Sequence, residues 1–244
     1  MKKKNDMHNQ KGDKHINKKD NLKELKVLII EDHPLMQTAI KNVFEKLSAH
    51  QKKYRFIIEI ASNCKEAYDK LSLPKNFYEL ILLDIQLPAY PDQKLFSGED
   101  IGLWIKQTLH LSSKIIVITF IKDNFRIQNI IQSINPNGFL VKEDITPETL
   151  LNALKKIFEF SPYYSESVTT HNQKIISNNI FLDATDRQLL YELSQGSNMA
   201  ELIELLFLSK SAIQKRKSKL RDIFNITDKS NRKLIQKAKE LGFL

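Results

Sequence analysis

The stretch 79-ELILLDIQLP-88 decides the fold. Leu80, Ile81, Leu82 and Leu83 are four apolar residues in a row, the composition of a short strand buried on both faces. They run directly into Asp84, and Pro88 closes the segment. A carboxylate at the end of a core strand is costly unless it is paired or put to use.

Working outward, the same kind of strand recurs. Runs at 26-KVLII-30, 55-RFIIEIA-61, 115-IIVITF-120 and 138-GFLVK-142 alternate with stretches of helical spacing near 35–48, 64–72, 99–109, 124–134 and 147–159. The last of these opens on Thr146-Pro147-Glu148: a cap, then proline in the first turn, then an acid beside the positive end of the dipole. Five strands alternating with five helices predict an α/β, doubly wound, five-stranded parallel sheet over 24–160, of strand order 2-1-3-4-5. In such a sheet the site lies beyond the carboxyl ends of the strands.

Those ends share a chemistry. The first strand ends in Glu31-Asp32, the third in Asp84, the fourth in Thr119 and the fifth in Lys142. Three crowded carboxylates repel one another unless a divalent cation sits among them, and a few oxygen ligands suit Mg²⁺. Asp84 is then a nucleophile able to form an acyl phosphate. Lys142 offsets charge on the phosphoryl oxygens and the Thr119 hydroxyl donates to one of them.

The pattern resembles a response-regulator receiver domain. The family's acidic pair matches Glu31-Asp32, followed here by His33-Pro34. Its phosphoacceptor and nearby proline match Asp84 and Pro88, its switch hydroxyl matches Thr119, and its Gly-aromatic-Leu-x-Lys strand matches Gly138 to Lys142. The resemblance implies that Phe139 is the switch aromatic, that the Gln86 backbone carbonyl completes a metal set of Glu31, Asp32 and Asp84, and that a sensor histidine kinase is the phosphoryl donor. His33 reads as a turn residue and Cys64 as an unreactive helix residue. The matching glycine is delayed to Gly98, so 89-AYPDQKLFS-97 is an insertion of roughly six residues. An aspartate-nucleophile phosphatase of the haloacid-dehalogenase type is a rival, but it needs a second Asp where Gln86 stands.

After residue 160 the rhythm changes. Residues 161–183 are polar and turn-rich, a predicted linker, and 184–244 reads as short helices only. Thr185 and Asp186 begin one, Gly196 ends it, Ser209 caps a third, and a fourth covers about 230–241. The stretch 209-SKSAIQKRKSKLR-221 contains six basic residues and no acid. On a helical projection Ile213, Leu220 and Phe224 share one side; Ser211, Gln214, Lys215, Ser218 and Lys219 share the other. A basic, hydrogen-bonding face of that kind suits a helix in the major groove of duplex DNA. Lys210, Lys219 and Arg221 flank it as phosphate contacts. The segment 185–226 resembles the helix-turn-helix domain of NarL/LuxR-type regulators, through Thr185, Arg187, Leu190, Gly196, Glu201, Leu206, Ser209, Ile213 and Ile226. It departs at Gln188, Ala212 and Gln214. The last helix, with Leu234, Ala238 and Leu241, occupies the family's dimerisation position, which implies a homodimer on phosphorylation. An interaction adaptor whose basic helices bind protein or RNA is the alternative.

The bulk numbers agree with two domains. The 244 residues are 41% hydrophobic and 27% charged, with a net charge of +9 that hints at a polyanionic partner. The single cysteine, Cys64, excludes intramolecular disulfides and multi-cysteine zinc sites and suits a reducing cytoplasm. No apolar run approaches the ~20 residues of a membrane span. Residues 1–23 are basic, almost without apolar residues and lacking a signal-peptide h-region, and read as a disordered tail.

Overall fold

The computed structural model describes residues 23–50, 54–74, 77–109, 111–159, 161–172 and 182–244. Of the expected tail only Lys23 is among them, as the first residue of a strand; the rest lies outside the described residues.

The chain alternates β1 (Lys23–Ile30), α1 (Pro34–His50), β2 (Tyr54–Ala61), α2 (Cys64–Leu71), β3 (Leu80–Leu83), α3 (Gly98–Gln107), β4 (Lys114–Thr119), α4 (Asn124–Ile134), β5 (Gly138–Val141) and α5 (Pro147–Phe158). The pleat explains why the strands are apolar throughout. Successive side chains point to opposite faces. Val27, Ile29, Leu80 and Leu82 meet α1 and α5, whereas Leu28, Ile30, Ile81 and Leu83 meet α2, α3 and α4. With both faces covered, no alternation is possible in β3.

The sheet order is β2-β1-β3-β4-β5-β6, parallel at every pairing. The expected 2-1-3-4-5 order is present, but a sixth strand was missed. β6 (Tyr163–Tyr164) pairs with Gly138 and Phe139, and α6 (Glu166–Asn172) follows it. The predicted 161–183 linker is therefore wrong at its start. Ser165 donates its backbone N–H to the Phe139 carbonyl and accepts the Val141 N–H on its hydroxyl. Ser167 binds Asp144, and Val168 enters the core. A two-residue strand followed by a polar helix carries no readable period, so composition alone made this segment look like a connector. The remainder, 173–181, lies outside the described residues.

The second unit comprises α7 (Ala184–Ser194), α8 (Met199–Leu206), α9 (Lys210–Ile223) and α10 (Asn231–Glu240). Each start is capped by a side chain that accepts an otherwise orphaned amide: Asp183, Asn198 with Glu201 in a reciprocal box, Ser209 and Ser230. The helix expected to begin at Thr185 and Asp186 starts one residue earlier, at Ala184, with Asp183 as its cap. Leu189, Leu193, Leu202, Ile213, Leu220 and Phe224 converge on one core. Leu234 and Ala238 of α10 and Leu241, its C-cap, join that same core, so these three side chains are spent inside the domain.

Candidate functional site

Four strand ends meet at one edge because the parallel sheet aligns them. Asp84 donates its N–H to the Ile30 carbonyl, which brings the end of β3 beside Glu31. Lys142, one residue beyond β5, reaches back across the edge. Its ammonium lies 2.8 Å from Glu31 Oε1 and 2.6 Å from Asp84 Oδ2. All three side chains are buried. Ligand atoms of Glu31, Asp32, His33 and Asp84 lie within 4.8 Å of one another. Thr119, at the end of β4, is fully buried and accepts the Ile121 N–H on its hydroxyl, leaving its own proton to donate.

The electrostatics answer why Asp84 is tolerated. Burial pushes its carboxyl up to about 6, against the pull of Lys142, with neighbouring Glu31 adding to the rise. The Gln86 N–H, 3.1 Å from Oδ1, acts in the other direction. Asp84 is only 2% exposed, so without Lys142 the carboxylate would face other acids with little water. The donor set fits a hard divalent cation. Glu31 Oε2 is buried with no hydrogen-bond partner among the described residues, and the carboxylates supply oxygen only.

Several features here were not legible beforehand. His33, expected as a turn residue, places Nδ1 2.7 Å from Asp32 Oδ1 and 3.1 Å from Glu31 Oε1. Gln37 donates to the Glu31 carbonyl and orients that corner. Phe120, 48% exposed, lies with its ring 4.9 Å from the Lys142 ammonium and edge-on to His33, forming a wall of the site. Gly98 has a steric role: a Cβ there would sit 1.8 Å from the Asp84 carbonyl oxygen. The delayed glycine thus lets α3 begin against the backbone of the acidic residue itself. Phe139, the expected switch aromatic, is fully buried on β5.

On α9 the projected faces hold. Ile213 and Leu220 are buried; Ser211, Gln214, Lys215, Ser218 and Lys219 are exposed, as is Lys210. Two of the expected phosphate contacts are already engaged. Lys219 lies 3.0 Å from the buried Asp186 carboxylate, which also binds Arg216 at 2.6 Å. Arg221 donates to the Lys229 carbonyl. Their charges hold α9 to the start of α7 and to the loop before α10, which a helical projection of α9 alone does not reveal.

Residues 27–155 match the response regulator receiver domain family. The nitrate/nitrite response regulator protein homolog of Haemophilus influenzae is 25% identical over 194 residues, covering 78% of this chain and 86% of the relative. The virulence factors putative positive transcription regulator BvgA of Bordetella pertussis is 27% identical over 211 residues, covering 83% and 91%. Among solved structures, RcsB of Salmonella enterica serovar Typhimurium, bound to promoter rprA with the phosphomimetic BeF3-, superposes with a TM-score of 0.62 at 18% identity, over 88% of this chain and 98% of that one. That last likeness is one of fold. Because the family match spans more than half of the chain, the protein belongs to the response regulator receiver domain family.

Proposed function

We propose that the protein is a phosphorylation-controlled transcription regulator, with Asp84 as phosphoacceptor and α9 as the DNA-reading helix. The observation that carries it is the buried Asp84 carboxylate held between the Lys142 ammonium and the Glu31 corner at the end of β3. Relatives of nearly full length named as a nitrate/nitrite response regulator and a transcription regulator support the same reading.

Asp84 attacks the phosphorus of a sensor kinase's phosphohistidine. The new P–O bond forms as the P–N bond breaks, and the departing imidazole keeps the electron pair and takes up a proton. Lys142 stays within reach of the transferred group and compensates its charge. Thr119 turns its free hydroxyl proton to a phosphoryl oxygen. A Mg²⁺ ion held by Glu31, Asp32, Asp84 and the Gln86 carbonyl supplies further stabilisation of developing charge when bound. The phosphorylated chain forms a homodimer on duplex DNA. Across 24–172 the chain is the receiver, and 182–244 is the DNA-binding domain. Among the described residues no helix is long and apolar enough to cross a membrane.

Two results test this reading. Asp32→Ala is expected to keep the fold, since Asp32 lies at the partly open rim of the cluster, but to lose metal-dependent phosphorylation by a small acyl-phosphate donor. An unchanged rate, followed by intact mass, counts against the metal set. On the DNA side, Gln214→Ala should cost roughly 1–3 kcal/mol on a preferred duplex only, because an amide can pair with adenine's acceptor and donor together. Lys210→Ala should instead weaken all duplexes alike and lower the log-log salt slope by about one. Lys219→Ala should lower it less, its ammonium being shared with Asp186. Titrations on selected and random duplexes at several salt concentrations distinguish the two classes; equal losses on both duplexes for Gln214→Ala would remove it as a base reader.

A further inference from the structure

The 89–97 insertion supplies none of the side chains of the acidic strand-end cluster, yet it is well built. Tyr90 and Leu95 exchange both backbone hydrogen bonds, closing the excursion around a single 3₁₀ turn at Pro91–Gln93. Its inner end is anchored: Leu95 is buried and Tyr90 packs edge-on against Tyr68. Its outer end reaches the other domain. The Phe96 ring lies 4.6 Å from that of Tyr191 on α7. The Lys94 ammonium lies 5.8 Å from the ring of Phe207, in the turn between α8 and α9. Lys94 and Phe207 both adopt left-handed backbone, at φ 56 and 54, which non-glycine residues seldom do. Phe207 is 84% exposed, so it is not held there by the core of its own domain.

Beside the excursion lies a buried charge cluster that spans both domains. Asp100 on α3 accepts from Arg187 Nε of α7 at 2.7 Å with one oxygen. With the other it accepts from the Phe96 N–H and the Ser97 hydroxyl. One carboxylate therefore ties the insertion and the second domain together. Arg126, on the first turn of α4, binds Glu99 at 2.6 Å, stacks over Phe243 at 4.0 Å and donates to the Gly242 carbonyl. Phe125 packs against the core of the second domain. Burial opposes the charged form of Glu99, but Arg126 and Arg187 outweigh it and hold its carboxyl below the ordinary value. These contacts use α7, the α8–α9 turn and the C-terminal residues. Gln214, Lys215 and Ser218 lie outside them and remain exposed.

We propose that the 89–97 excursion, with Asp100 and Arg126, is a docking surface for the chain's own DNA-binding domain, which it seats with the reading face of α9 outward. Docking orients the reading helix and leaves it uncovered. The link to the phosphorylation site is short: Thr119 ends β4, Ile121 lies against Gly242, Asp123 caps α4, and Arg126 follows in its first turn. The term reading face rests on the function proposed above; the docking itself does not.

Phe96→Ala and Arg187→Gln, alone and combined, test the proposal in the full chain. Phe96 is half-exposed, so its truncation leaves both cores intact; thermal melting checks the same for Arg187→Gln, which also loses a bond to the Leu182 carbonyl. In ¹⁵N relaxation, amides of both domains of the unmodified protein should share one rotational correlation time. In the double variant, and to a lesser degree in Phe96→Ala, those of 182–244 should fall well below those of the receiver. A shared correlation time that survives in the double variant overturns the docking surface. Affinity for a random-sequence duplex at low salt should be unchanged in the double variant, because the basic face is already open. A gain of about tenfold or more would show that docking covers the face and would overturn its outward orientation. If neither protein binds duplex DNA at all, the DNA-reading function fails, while the relaxation result still decides the docking.

Discussion

Asp84→Asn is expected to take up no phosphoryl group from a small acyl-phosphate donor, and at neutral pH without metal it should be more stable than the parent. Both follow from one carboxylate. The amide oxygen is a far weaker nucleophile than the carboxylate it replaces, so intact mass after treatment should show no phosphoryl adduct. Persistent stoichiometric labelling would remove Asp84 from its role. The stability gain comes from the raised pKa of the buried carboxyl. Asp84 has an ordinary value of 3.8 and a folded value of about 6, so between these pH values the folded protein binds a proton that the unfolded chain does not. Stability therefore falls as pH rises through that window, and above it the deficit is of order 3 kcal/mol. The variant has no group there to titrate. Its urea midpoint should exceed the parent's at pH 7.5, by no more than that amount, and should lack the parent's decline between about pH 4 and 6. Added Mg²⁺ should narrow the difference by binding the parent's folded state more tightly. A variant less stable than the parent at every pH would show that burial is not the main cost carried by this side chain.

Lys142→Met is expected to damage the protein in the opposite sense. The methionine fills much the same volume but leaves Glu31 and Asp84 buried side by side with no cation 2.6–2.8 Å away. Removing one partner of a buried ion pair costs about 3–5 kcal/mol, and protonation of Asp84 relieves part of that at low pH. The loss should therefore be largest near pH 8 without metal, smaller near pH 5, and partly reversed by Mg²⁺. Phosphoryl uptake should fall by ~10²-fold or more, the usual consequence of removing a preorganised group from developing charge. Urea titrations at the two pH values, with and without Mg²⁺, measure the first effect, and the rate of mass gain measures the second. Unchanged stability of metal-free Lys142→Met at pH 8 would mean that the ammonium does not balance these carboxylates.

The acidic edge was readable because each of its residues sits at the end of a strand with its own local signature. Glu31-Asp32, Asp84, Thr119 and Lys142 each follow an apolar run, and a parallel sheet with one crossover sense brings such ends to one side. In the sequence Gly98 is only a delayed glycine; its reason, a Cβ 1.8 Å from the Asp84 carbonyl oxygen, is a contact and not a pattern. His33 and Phe120 carry no sequence signal for a related reason. A turn histidine and an aromatic after a strand are ordinary residues until the fold places one against Asp32 and the other over Lys142.

By itself, then, the sequence determined the alternation of strands and helices, the order of the first five strands, the acid-threonine-lysine edge and the basic face of α9. These depend on periodicity and on residues near one another in the chain, where a buried strand must be apolar and a buried helix must carry a stripe. Only the tertiary structure decided that Tyr163–Tyr164 adds a sixth strand, that Lys219 and Arg221 are partly engaged within their own domain, and that Asp100 meets Arg187. The last two residues are 87 positions apart. Nothing local to either distinguishes a surface charge from half of a buried pair, because a charged side chain is tolerated in water and in the interior alike once its partner arrives. That partner is chosen by how the two domains pack, and packing is a property of the whole chain.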